Sequence, residues 1–306
     1  MNDTNNGIVE DNYSNIGALE PEEDTVTTTS SNVNSYTCND CKCVFSSNLA
    51  ANKCIMCNST NLSNNEVNLS TAKFIPFFRT MDNAITEYKY KVKNIMISRA
   101  FKGKKVINNI KKVYLPAYLL DANVKGQVRF FGADKIGKDE TRKYELVYDS
   151  NFDFNNVLVN GYSKIDDDLF NGICTYQYDK AVPFTEDLLN DTYSISYDLV
   201  PLEVSNKVNN RVMRHCLNEI RSNIPHSLKK LHKNDMDVQI KDNNKIYVPV
   251  YLVNVKHNNK DHIFLMNGQT GNSYMKVELS GIAIAIFSIV LFAVVFGCAF
   301  LFAYFL

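Results

Sequence analysis

Four of the chain's eight cysteines fall into two pairs, Cys38-x2-Cys41 and Cys54-x2-Cys57, with twelve residues between the pairs. A Cys-x2-Cys pair on a tight turn aims both sulfurs at one point. Two such pairs supply the four thiolates that close a tetrahedron at about 2.3 Å around Zn²⁺. The spacing predicts a structural zinc ribbon on Cys38, Cys41, Cys54 and Cys57. Two disulfides are the alternative, and a cytoplasmic chain argues against them because thiols stay reduced there. A centre closed by four sulfurs leaves no open coordination position, so the metal serves folding and not catalysis. In "CNDCKC" either Cys41 or Cys43 could be the second ligand; the two-residue turn selects Cys41. Cys174, Cys216 and Cys298 stand alone and read as small buried hydrophobes.

Other chemistry is harder to assemble. The run Ile165-Asp166-Asp167-Asp168 could hold a divalent cation or exchange protons, but adjacent side chains point different ways and the run reads as a helix start. His215, His226, His232, His257 and His262 are scattered, with no Cys, Ser or Asp companion at a known spacing. The stretch "NGQTG" at 267–271 lacks the lysine and helix of a phosphate loop, and no G-x4-G-K-[ST] motif occurs. The expectation is a protein without enzymatic activity.

Charge is unevenly placed although the formal net charge is zero. Residues 1–36 carry seven acids and no Lys or Arg, whereas 73–112 carry eleven bases against two acids. Lys89, Lys91, Lys93, Arg99, Lys102, Lys104, Lys105, Lys111 and Lys112 form the basic run, a candidate contact for phosphate groups of nucleic acid or for anionic lipid. A solvated polar face is the plainer reading. Between the cysteine pairs only Lys42 and Lys53 are basic, which is thin for nucleic-acid contact.

These residues need elements to position them. The polar, acidic segment 1–36 reads as a disordered tail, 37–62 as the ribbon and 63–73 as a linker. Residues 74–279 alternate helical and strand-like patterns and read as one α+β domain. Residues 280–306 hold an uncharged apolar run of 26 residues from Gly281, which as a helix spans roughly 39 Å against a hydrocarbon core of about 30 Å. This predicts a single-pass tail anchor, with the first span of a hairpin as the alternative. Lys256, Lys260 and Lys276 precede the span and no signal peptide is visible, which places the bulk of the chain in the cytoplasm at the cell membrane.

Within 74–279 the chain nearly repeats itself. "VYLPAYLLDA" at 113–122 returns 133 residues later as "IYVPVYLVNV" at 246–255. A helical pattern precedes each, and turn signals follow at Ala122-Asn123 and at Asn258-Asn259. The reading is a duplicated helix-plus-antiparallel-sheet unit. Each proline removes a ladder donor, so each strand bulges or lies at an edge there. The tyrosines at i and i+4 share one strand face and pack against the helix.

The paired cysteines, "FIPF" at 74–77, "VYLPAYLLD", "SKIDDDL" at 163–169, "VPF" at 182–184, "IYVPVYLVNV" and "FLMNGQTG" at 264–271 occur in an order that resembles the transcription-factor-IIB-type zinc-ribbon membrane proteins of Firmicutes and related low-GC bacteria, some of which bear a primosomal-helicase label. The resemblance implies a cysteine zinc site and membrane attachment, with no established activity. Lys42 stands where glycine commonly follows the second cysteine, and Cys43 is an addition to the pattern. The function expected from these features is a protein-binding scaffold or adaptor held in lipid through 281–306. The alternative is a nucleic-acid-binding protein tethered the same way.

Overall fold

The computed structural model describes residues 33–65, 69, 72–137, 140–225 and 228–305. The expected tail lies almost wholly outside them. The first described strands carry the cysteines: β1 (Asn34–Cys38) pairs antiparallel with β2 (Val44–Ser47) and β3 (Leu62–Asn65). They run past the expected 37–62 at both ends.

The short strand β4 (Lys73–Phe74) leads into helix α1 (Met81–Val92). Thr80 caps α1: its hydroxyl accepts from the Asn83 N–H, and the Asn83 side chain accepts from the Thr80 N–H. Ala84, Tyr88 and Val92, one turn apart, form its buried stripe. The pattern at 104–112 yields only one helical turn, α2 (Lys104–Ile107).

Next comes β5 (Lys111–Lys135), 25 residues long, and β6 (Thr141–Asn160), 20 residues long. The expected turn at Ala122-Asn123 does not form. β5 runs through with a register shift at Asp121, whose carboxylate accepts from the Asn156 N–H at 2.7 Å. Asn123 is buried, and its amide donates to Asn151, Phe152 and Asp153 on the neighbouring strand. A residue type that favours turns is here absorbed by cross-strand partners, so "KYELVYDS" and "NVLVNGYS" fuse into β6.

Helix α3 (Asp167–Asn171) and strands β7 (Val182–Pro183) and β8 (Tyr193–Ile195) follow. Helix α4 (Pro201–Asn223) starts on a proline and buries Val204, Val208, Val212, Cys216 and Ile220. The chain then runs through β9 (Leu228–His257), β10 (Lys260–Asn267), β11 (Ser273–Met275) and helix α5 (Gly281–Phe305). Asn258 and Asn259 both adopt positive φ and make the tight β9–β10 turn.

The described strands form one mixed eleven-stranded sheet. β5 lies between β9 and β6, and its first residues also pair in parallel with β8. β8 pairs with β2, so the cysteine-bearing strands continue the same sheet. Beyond Leu119 the three strands β6, β5 and β9 form an arm, with α4 packed on one face over Val124, Val128, Phe130 and Met236.

The two repeated stretches lie side by side. Val113 pairs with Val250, Tyr114 with Pro249, Leu115 with Val248 and Pro116 with Tyr247. Each stretch also meets matching contacts. The Pro116 carbonyl accepts from Gly161 N–H, and the Pro249 carbonyl accepts from Gly268 N–H. Both glycines follow a buried asparagine, Asn160 or Asn267, whose Oδ1 accepts from the backbone two residues on. Val113 and Tyr114 pair in parallel with β8; Ile246 and Tyr247 pair in parallel with β4. The Tyr118 hydroxyl donates to the Leu199 carbonyl, and the Tyr251 hydroxyl donates to that of Arg79. Each proline faces a gap between two partner strands, Pro116 between β8 and β6 and Pro249 between β4 and β10, so neither ladder loses a donor it needs.

Candidate metal centre

Cys38 ends β1 and Cys41 follows in the turn to β2; Cys54 and Cys57 sit in the turn before β3. The two turns have the same hydrogen bonds. Lys42 N–H donates to the Cys38 carbonyl and Cys38 N–H to that of Cys43; Asn58 N–H donates to the Cys54 carbonyl and Cys54 N–H to that of Ser59. The residue after each second cysteine has positive φ, 60° at Lys42 and 61° at Asn58. That geometry explains the preference for glycine there, and Asn58 tolerates it better than Lys42.

The four sulfurs lie within 4.8 Å of one another. Cys38 Sγ is 3.6 Å from Cys57 Sγ, and Cys41 Sγ is 3.5 Å from Cys54 Sγ. A tetrahedron with metal–sulfur bonds of about 2.3 Å has edges of about 3.8 Å. The donor set therefore fits a metal ion such as zinc. Met56 N–H points at Cys54 Sγ at 3.4 Å, a second-sphere donor that favours the thiolate. Cys43 is fully buried outside the four, with its thiol beside Cys54.

Burial would raise Cys38, but the N–H groups of Cys41 and Asp40 outweigh it and bring the thiol down to about 7. Burial raises Cys41 and Cys57, and the Cys43 thiol together with burial raises Cys54. A bound cation must displace those protons. Lys111, whose own pKa is lowered by burial, places its ammonium against the Cys54 carbonyl at 3.5 Å. Asn254 from β9 donates to the Met56 carbonyl at 3.1 Å, so the second turn is tied directly to the long strands.

The nine basic residues are not one patch. Lys111 faces the cysteine turn, and Lys112 lies 4.7 Å from the Phe77 ring centre. Lys91 pairs with Glu87, and Lys102 donates to the Asn94 carbonyl at 2.6 Å. Lys89, Lys93, Arg99, Lys104 and Lys105 remain exposed along α1, the following turn and α2. The three aspartates do start a helix: Asp166 caps α3, Lys276 pairs with Asp166 and Asp168, and Lys207 pairs with Asp167. Of the histidines, His257 and His262 flank Glu278, His215 pairs with Glu219, His232 lies on Phe131, and His226 is outside the described residues.

Sequence reasoning missed two features. Asn267 reads as a turn residue and Asn160 as part of the strand-like "NVLVNGYS", yet each is buried and organises the chain around it. The segment Asn94–Ser98 carried no motif, but it is bonded to the start of α5: Ser280 N–H donates to the Met96 carbonyl at 2.7 Å. Helix α5 is long and apolar enough to cross a bilayer, and none of its Gly281–Phe300 stretch is buried in the protein.

No family model matches the chain, and no solved structure matches it. The chain is similar to the uncharacterized protein YdjG of Bacillus subtilis (strain 168), with 26% identity over 223 residues, which cover 69% of this chain and 65% of that protein. It thus spans less than two thirds of that relative's length.

Proposed function

We propose that the protein is a zinc-ribbon adaptor anchored in the cell membrane by α5, with the bulk of the chain in the cytoplasm and a protein as its partner. The observation that carries this reading is the four-sulfur centre, closed and continuous with the main sheet through β2 and β8. Zinc there is structural, held by Cys38, Cys41, Cys54 and Cys57, and a closed set offers no position for a substrate. Thiolates of this kind persist in a reducing compartment. The matching contacts around Pro116 and Pro249 support a second point: β4–α1–β5–β6 and β8–α4–β9–β10 are one unit written twice. In each, the strand and helix of one copy cover the hairpin of the other.

The arm is the surface we assign to the partner. Among the described strands, β6 and the first half of β9 each pair on one edge alone, with β5. Phe131 and Val147 are exposed near the arm's end. Free edges beside exposed apolar side chains suit an added strand or an apolar contact. The test is recovery of partners by the tagged, detergent-solubilised full chain, with and without nuclease, beside a Phe131→Glu/Val147→Glu variant that keeps its zinc. A protein partner that survives nuclease and is lost from the variant is expected. Partners that disappear with nuclease would contradict the adaptor reading and favour nucleic-acid binding. Retention by the variant would remove the arm from the proposal.

A further inference from the structure

The segment between α1 and α2 is built against the point where α5 begins. Ile97 and Leu279 form an antiparallel bridge, Ser98 N–H donates to the Glu278 carbonyl at 3.2 Å, and Ser280 N–H donates to that of Met96. Continuing that register sets Ile95 opposite Gly281, the first residue of α5. The turn itself is braced: the Asn94 side chain accepts from Met96 N–H, and its carbonyl accepts from Ile97 N–H and from the Lys102 ammonium. Ile97 is buried, yet Ile95, two residues away, is 84% exposed. A rigid turn therefore holds one large aliphatic side chain outward beside the start of an apolar helix.

The same segment, 90–105, carries exposed amphipathic and cationic groups. Tyr90 is 60% exposed, with the Lys93 ammonium 3.9 Å from its ring centre. Lys93, Arg99, Lys104 and Lys105 are exposed. The nearby acid, Glu278, is already engaged by His257, Lys260, His262 and Asn258. An aliphatic tip, a tyrosine and exposed cations beside a helix long and apolar enough to span match the chemistry of a bilayer interface with anionic headgroups.

We infer that residues 90–105 form a membrane foot, with Ile95 inserted at the acyl boundary and Lys93, Arg99, Lys104 and Lys105 on anionic headgroups. The inference rests on α5 being the anchor. Its consequence is orientation: the foot and α5 are two contacts with one surface, and they fix the sheet's angle to the bilayer.

The chain contains no tryptophan, so Ile95→Trp creates a single probe at an exposed position. The full chain is reconstituted into phosphatidylcholine vesicles with and without phosphatidylglycerol, each with acyl chains brominated near the headgroup, and flotation is checked first. The expected result is a blue-shifted Ile95→Trp emission quenched by bromine, more strongly with phosphatidylglycerol, while Val147→Trp on the arm stays unquenched. Adding Lys93→Glu, Arg99→Glu, Lys104→Glu and Lys105→Glu to the Ile95→Trp chain should abolish the phosphatidylglycerol dependence. A chain that floats but leaves Ile95→Trp unquenched overturns the foot and spares the anchor; a chain that does not float overturns both. If the charge reversal leaves quenching unchanged and instead removes binding of a DNA oligonucleotide, the cations belong to nucleic acid and the lipid assignment falls.

Discussion

At the residue scale the two cysteine turns are alike except at one position. Lys42 holds a left-handed backbone that costs a non-glycine residue about 1 kcal/mol or more, while Asn58 bears the same φ more readily. Lys42→Gly should therefore slow metal loss to a chelator, with a gain of up to about 1 kcal/mol after the glycine's greater unfolded freedom is counted. Cys54→Ser should lose the metal; Cys43→Ser should keep it, because Cys43 lies outside the tetrahedron. The reverse result, with Cys43→Ser empty and Cys41→Ser loaded, would reassign the ligand. Since Cys41, Cys54 and Cys57 are raised thiols, binding releases protons, and apparent affinity should fall as pH is lowered from about 8 to 6 in a chelator competition. This centre was legible in the sequence because its ligands lie close along the chain and the turn chemistry is local. The environment of Cys43 was not, because it is set by burial beside Cys54.

At the element scale α4, with regular helical spacing, and α1, with a mixed helical pattern, were legible, and the strand lengths were not. Asn123 and Asp121 look like turn residues, and cross-strand partners 28 to 35 positions away keep them in β5. The near-repeat was visible as sequence, but its partners were not: Gly268 reads as a turn glycine and Gly161 as part of a strand-like piece, yet each donates its N–H to a proline carbonyl. A Cβ on Gly161 would meet the Tyr197 ring at 2.8 Å and the Pro116 carbonyl at 3.1 Å; one on Gly268 would meet Phe77. Gly161→Ala and Gly268→Ala should each cost about 1–3 kcal/mol in denaturant unfolding. Tyr118 and Tyr251 are 4% and 1% exposed and belong to different core clusters, so their loss to alanine should cost about 3 kcal/mol or more each. If one tyrosine tolerates truncation and the other does not, the two contact sets are not equivalent.

At the scale of the whole molecule, continuity of the sheet decides behaviour. β5 pairs with β9 along its length, β4 reaches forward to β9, and β2 reaches to β8, so every cut between the halves breaks ladders. Limited proteolysis should release no stable fragment ending near Pro201. The sequence pointed to a ribbon joined by a linker; the pairing of Phe45 with Ile195 and of Ser46 with Ser194 joins it to the sheet instead, a contact about 150 residues apart that no local pattern announces. The cysteine centre also shares one core cluster with Val113, Leu115, Val248 and Leu265. Metal removal should then weaken the entire sheet. The most direct measurement is metal content together with thermal unfolding of the detergent-solubilised full chain, before and after chelation and in Cys54→Ser. The expected result is about one zinc per chain, with a single unfolding transition that moves to lower temperature when the metal is removed. Protein with no bound metal, or a transition unchanged by chelation, would contradict a structural zinc centre built into the sheet.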